Sequence, residues 1–142
     1  MTDYQITELE KDDYYRGFLR LLEQLTTVNV DDITYDQFLN QLDKIKSKVF
    51  VIRHDNQIIG TSSVFIEPKF IRKLSHVGHI EDVVVEKNYR GKGLGKMLLN
   101  HCLRYAKDQN CYKVILNCEN KNIKFYEKCG FINKNVEMCQ YL

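Results

Sequence analysis

Apolar and polar positions change period several times along the 142-residue chain, and each change marks an element. Tyr4–Glu8 alternates weakly, as an edge strand does. Tyr14, Phe18, Leu21, Leu22 and Leu25 then fall on one helical stripe, with Asp12 or Asp13 placed to cap it. Thr26-Thr27-Val28-Asn29 breaks that helix. Thr34 with Gln37 three residues later is a capping box, and Tyr35, Phe38, Leu39, Leu42 and Ile45 form the apolar face of the helix it opens. From Val49 the period shortens to that of strands: Val49–Arg53, a turn at His54–Gln57, and Ile58–Glu67 predict an antiparallel hairpin. Pro68–Arg72 continues extended, Lys73–His76 turns, and Val77–Val85 is the next strand.

Past Val85 a basic, glycine-rich loop leads into a second helical stripe. Leu94, Leu98, Cys102 and Tyr105 lie on it, with Leu99, Leu103 and Ala106 beside them. Lys113–Asn117 predicts a short buried strand, and Asn122–Cys129 a short helix closed by Gly130 at the position that favours a left-handed residue. Phe131-Ile132 and Val136–Tyr141 predict a closing strand pair. The order is β-α-α-β-β-β-α-β-α-β, an α/β (α+β) fold with a mixed, mostly antiparallel sheet and helices on both faces. Only the strand–helix–strand unit around the glycine-rich loop has to be parallel.

Composition narrows this little. One domain over residues 1–142 is long enough for a real core. A net charge of +2 gives no footprint for nucleic acid, and no apolar run is long enough to span a bilayer. The start, Met1–Gln5, is polar and unlike a signal peptide. Five cysteines, an odd number with no C-x-x-C pair, suggest free thiols in a reducing, cytoplasmic setting. His76 and His79 stand three apart without a second ligand pair, so no metal is expected.

The loop carries the chemistry. A strand, a glycine-rich turn and a helix start make a phosphate site, because the first helical N–H groups have no internal partner and the helix dipole is positive there. Arg90, Lys92 and Lys96 add charge. The spacing fails the Walker A pattern, since Gly95-Lys96 is followed by Met97, and it fails G-x-G-x-x-G, since the third glycine comes one residue early.

What remains, Arg90-Gly91-Lys92-Gly93-Leu94-Gly95, resembles the pyrophosphate loop of the GCN5-related N-acetyltransferases, R/Q-x-x-G-x-G/A, with Arg90, Gly93 and Gly95 at its fixed positions. That family binds acetyl-CoA there, and the element order is similar to its acyl-CoA N-acyltransferase fold. Gly78–Val85, Asn110–Lys113, Asn122–Phe131, Leu25–Val28, Glu67–Ile71 and Val136–Met138 resemble the branch that acetylates D-glucosamine 6-phosphate. The resemblance implies acetyl transfer to that amino sugar, on the way to UDP-N-acetylglucosamine, by direct attack through a tetrahedral intermediate. It also implies a homodimer whose sites are completed across the interface.

The resemblance assigns roles residue by residue. Val83, Val84 and Val85 offer backbone N–H groups, freed at a bulge, to the acetyl carbonyl and the pantetheine arm. Arg90, Gly91, Lys92, Gly93, Leu94 and Gly95 cradle the pyrophosphate, and Asn122 contacts the arm unless it is only a helix cap. Tyr126 is the candidate proton donor to the departing thiolate. Glu81 and Asp82 lie at the amino-sugar site as catalytic and binding candidates; as neighbours on a strand they face opposite ways unless a bulge intervenes. Thr26, Lys69, Phe70, Ile71, Arg72 and Asn117 complete the acceptor set, with Lys69, Arg72 and Lys73 the phosphate candidates and Thr26 a hydroxyl partner. Cys118 and Cys129 have no paired histidine nearby and are expected to be core thiols.

Two positions depart from the branch. Asn117 stands where an acid is usual, and no arginine follows Met138; Arg72, often a histidine, is the candidate for the missing charge. Two other readings fit the loop alone: an acetyltransferase for a different small amine, and a non-catalytic acetyl-CoA-binding module.

Overall fold

The computed structural model describes residues 3–142; Met1 and Thr2, the first part of the polar start, lie outside them. Five strands form one sheet in the order β1-β2-β3-β4-β5: Gln5–Glu8, Lys48–His54, Gln57–Pro68, His76–Val85 and Cys111–Ile115. All neighbours are antiparallel except β4 and β5, which are parallel and joined by the long helix α4 (Leu94–Asp108). The β2–β3 hairpin turns on Asp55 and Asn56, both left-handed, the turn whose twist matches the strands.

The sheet separates two apolar clusters. On one face Leu98, Leu99 and Cys102 of α4 lie fully buried against Phe50, Ile52, Val64 and Ile80. On the other, α1 (Phe18–Leu22) and α2 (Tyr35–Lys44) pack Phe18, Leu21 and Phe38 against Val51, Ile58 and Val84. The Thr34 capping box forms, with Gln37 N donating to Thr34 Oγ1 at 3.1 Å and Thr34 N donating to Gln37 Oε1 at 2.8 Å. Gly130 takes φ 96° after α5 (Ile123–Lys128), and Phe131 N donates to Tyr126 O, closing the helix end as the sequence predicts.

Four expectations change. The first helix is split: a 3-10 turn, Lys11–Arg16, ends at left-handed Gly17 before α1 begins. Asp13 does not start it but sits in its third position, where it answers a different demand. Fully buried, its carboxylate accepts from Glu10 N (2.7 Å), Arg16 Nη1 (3.0 Å) and both Nη atoms of Arg53 on β2 (Nη2 2.7 Å). Burial alone raises the pKa of this carboxyl, but the bonds from Arg53, Glu10 and Arg16 outweigh it and hold the group below its ordinary value. This pair ties the first turn to the sheet.

The segment after Pro68 is not extended either. A single turn, α3 (Ile71–Leu74), follows, with Arg72, Lys73 and Leu74 all left-handed; Lys69 N donates to Ser75 O at 2.8 Å and closes the loop. Strand β5 begins at Cys111 rather than Lys113, and it is half-exposed rather than buried because it is the sheet edge. Cys118, just beyond it, is therefore exposed and Cys129 half-buried, not core thiols. Finally, residues 131–142 form no strand pair. A strand needs a partner edge, and this tail leaves Ile132, Val136, Met138 and Tyr141 between 78% and 95% exposed.

Candidate active site

The loop from β4 to α4 is built as an anion cradle. Gly91 and Gly93 take φ 80° and 79°, which a side chain strains to adopt, and nothing lies within 4 Å of where a Cβ would stand on either. Gly93 opens α4 with no side-chain cap and no acid in the first turn, so the helix start faces outward unsatisfied. Gly95 answers a different need: a Cβ there would lie 3.0 Å from Phe125 Cζ, so this glycine lets α5 sit close on α4. Arg90 has a structural task as well, since its Nε donates to Val85 O at 2.8 Å and fastens the loop to the strand end, with the guanidinium charge kept. Sequence reasoning missed a second fastening. Gln24 accepts from Lys87 N (2.9 Å) and donates to Glu86 (3.2 Å), which ties the end of α1, and with it the Thr26 segment, to the same loop.

Strand β4 changes face at a bulge. Ser63 pairs with Glu81 but Thr61 with Val84, so Asp82 and Val83 together oppose Ser62, and Asp82 takes φ 53°. Ile80 consequently faces α4 whereas Val84 faces α1 and α2. The same bulge turns Glu81 and Asp82 to one side. Both line a cavity of about 380 Å³ beneath α1 and α2, with Leu19, Phe38, Leu42 and Ser63 among its walls. The expectation that adjacent carboxylates face opposite ways fails here because the bulge breaks the two-residue period.

On its other side β4 pairs with β5 only over His76–His79; beyond that point the strands part, and Val83, Val84 and Val85 run alone on that side. The loop leaves directly from this gap. Tyr126 on α5 packs into the α4-side core beside Phe125 and Phe131. Burial pushes its phenol up to about 12, and the nearby Cys118 and Cys129 add to the shift, so it is a firm hydrogen-bond donor at neutral pH. Asn122 stands at the start of α5 but makes no capping bond, so its amide is not committed to the helix.

The acceptor candidates divide into two groups. Lys69 Nζ lies 3.5 Å from Glu67, whose same oxygen takes His79 Nε2 at 2.9 Å; His79 stands two residues before Glu81 on one strand. The His79 bond, reinforced by Lys69, holds the Glu67 carboxyl below its ordinary value. Arg72 instead leans onto β5, its guanidinium 5.1 Å from the Tyr112 ring centre. Phe70 and Ile71 are exposed at the loop tip, and Thr26 and Asn117 are exposed on their loops. The structure thus brings Lys69 to the Glu67–His79 pair near Glu81, leaves Arg72 on Tyr112, and leaves Phe70 and Ile71 exposed. Among the described residues no cluster of three or more His, Cys, Asp or Glu side chains is arranged to hold a metal, and no helix is long and apolar enough to cross a membrane.

The sheet opens at its one parallel pair above an uncapped, glycine-flanked helix start, and residues 4–131 match the Acetyltransferase (GNAT) family. The chain belongs to that family, whose members use an acyl-CoA donor. Among its relatives, glucosamine 6-phosphate N-acetyltransferase of Arabidopsis thaliana is 41% identical over 97% of this chain and 96% of its own. The enzyme of the same name from Candida albicans is 36% identical over 97% of this chain and 96% of its own. The crystal structure of the Arabidopsis enzyme superposes with a TM-score of 0.93 over 98% of both chains at 40% identity. That of a Trypanosoma brucei acetyltransferase superposes with a TM-score of 0.91 at 36% identity, over 99% of this chain and all of its own.

Proposed function

We propose that the chain is a glucosamine 6-phosphate N-acetyltransferase: it transfers the acetyl group of acetyl-CoA to the amine of D-glucosamine 6-phosphate, giving N-acetyl-D-glucosamine 6-phosphate and CoA. The observation that carries the reading is the β4 bulge, which puts Glu81 and Asp82 on one side of the strand whose next residues border the β4–β5 gap. Full-length relatives of one activity support the acceptor.

Each residue then has a task. The N–H groups at the start of α4, with Gly91–Gly95 and the Lys92 and Lys96 charges, bind the pyrophosphate. The backbone of Val83–Val85 holds the acetyl carbonyl, and Asn122 the arm. Glu81 and Asp82 orient the amine, whose lone pair attacks the thioester carbon. The C–S bond breaks as the N–C bond forms; the proton lost by the nitrogen passes to water, and CoA leaves as a thiolate that accepts a hydrogen bond from the Tyr126 hydroxyl. A sugar amine is a weaker base than a lysine, so positioning supplies much of what a strong base would.

The chain works as a homodimer in this reading. The tail 131–142 carries exposed apolar residues and no strand partner, β5 has an unpaired outer edge, and Phe70, Ile71 and Leu74 are exposed at the β3–β4 tip. A second copy supplies partners for all three. The free cysteines suit the cytoplasm. The test is CoA release from acetyl-CoA with glucosamine 6-phosphate, glucosamine and spermidine in parallel. Turnover on the phosphosugar alone is expected; turnover only on spermidine or glucosamine refutes the acceptor and leaves the donor site standing.

A further inference from the structure

One polar bridge spans the donor and acceptor sides and has no task yet. The link from α1 to α2 holds only one 3-10 turn, Val30–Asp32, and the Thr26 segment lies before it. Leu21 of α1 shares an apolar cluster with Val84, so packing fixes the helix itself on β4. Its exposed continuation is held differently. The backbone N–H groups of Gln24, Leu25 and Thr26 all donate back to Leu21 O or Leu22 O. Among the described residues, the Gln24 side chain alone carries hydrogen bonds from this stretch to another element.

The bridge lands between the two places that hold the donor. Gln24 Oε1 accepts from Lys87 N at 2.9 Å, and Gln24 Nε2 donates to Glu86 Oε1 at 3.2 Å. Glu86 follows Val85 directly, and Lys87 stands four residues before Gly91. Glu86 is itself pinned: its N donates to Ile59 O at 2.8 Å, and its Oε2 accepts from Asn88 N at 2.6 Å, capping the turn Lys87–Tyr89. Past that turn the cradle has few restraints of its own, with open space beside Gly91 and Gly93. A bound pyrophosphate supplies the bonds the cradle lacks. Ordering the cradle orders the turn, and the Gln24 amide passes that order to the segment carrying Thr26.

We propose that Gln24 is a positioning residue that couples the two substrate sites: through Glu86 and Lys87 it makes the Thr26 segment follow the donor loop, so that bound CoA tightens the acceptor site. This rests on the phosphosugar reading above.

The experiment measures, by calorimetry on the full chain, the Kd of glucosamine 6-phosphate without CoA and with saturating CoA, which carries no acetyl group and so allows no turnover. In the wild type CoA is expected to tighten the phosphosugar about fivefold, and the phosphosugar to tighten CoA by the same factor, as linkage requires. Gln24→Ala, an exposed substitution that leaves both apolar clusters intact, is expected to bring that factor to about one with an unchanged thermal melt. Gln24→Glu combined with Glu86→Gln exchanges acceptor and donor across the bridge and is expected to restore the coupling, which a merely structural role for Gln24 does not foresee. No coupling in the wild type, or full coupling in Gln24→Ala, overturns the proposal. If the phosphosugar neither binds nor turns over, the functional reading fails first, and backbone amide exchange decides this one separately. CoA is expected to slow exchange over residues 25–28 in the wild type and not in Gln24→Ala; the same response in both proteins refutes it.

Discussion

The Tyr126 phenol gives a prediction whose size follows from its surroundings. Its pKa is pushed up to about 12 by burial, while an ordinary thiol has a pKa of about 8.5. Complete proton transfer from this phenol to a departing thiolate therefore runs uphill by about 3.5 units, or about 5 kcal/mol. The hydroxyl acts as a hydrogen-bond donor to the developing negative sulfur, and a bond to a charged group is worth about 1.5–3 kcal/mol. Tyr126→Phe keeps the ring and its packing against Phe125 and Phe131 and removes only that donor. The expected loss in kcat is about 10- to 150-fold, with the KM for acetyl-CoA changed less than about twofold. The assay is steady-state CoA release at saturating phosphosugar, with a thermal melt to show that the fold is kept. Because the phenol stays protonated, kcat should show no alkaline limb from this group below about pH 11. An unchanged kcat removes Tyr126 from the mechanism. A loss beyond about a thousandfold, or an alkaline limb near pH 9 that Tyr126→Phe abolishes, refutes the hydrogen-bond account in favour of full proton transfer.

Other outcomes follow from the same geometry. Asp13→Ala strands Arg53 beside the sheet without its carboxylate and is expected to cost about 3–5 kcal/mol, a fall in Tm of about 10 °C or more by calorimetry. The folded pKa of Asp13 is depressed, so its contribution is present above the ordinary carboxylate range and is lost as pH falls through the folded value; the gap between wild type and variant should narrow in acid. Lys69→Ala should raise the KM for the phosphosugar and spare that for acetyl-CoA; the reverse pattern removes it from the acceptor site. Arg72→Ala tests whether the guanidinium held on Tyr112 contributes a charge to phosphate, and an unchanged phosphosugar KM disposes of it. Removing residues 132–142 should convert a dimer to a monomer in sedimentation, and an unaltered mass argues against the tail as the seam.

Much of this protein is legible in one dimension. Local patterns need no distant partner to be decoded: the Thr34 capping box, the left-handed Gly130, the Asp55-Asn56 turn, and the strand–glycine loop–helix unit. Each is set by backbone sterics and by hydrogen bonds between residues close in sequence. The two apolar faces follow from periods of 2 and 3.6 in the same way. What the chain alone does not disclose depends on a neighbour brought in from far away. The bulge that turns Glu81 and Asp82 together is a mismatch in count between β3 and β4, visible only once Thr61 and Ser63 are paired. The second tasks of Arg90 and Gly95, fastening the loop to the strand end and letting α5 sit close on α4, show only when Val85 O and Phe125 arrive beside them. Asp13 reads as a helix cap until Arg53, forty residues on, claims it. The tail reads as a strand pair because its residues suit one, yet a strand exists only where an edge is free to receive it, and that edge is fixed by tertiary and quaternary packing rather than by the residues themselves.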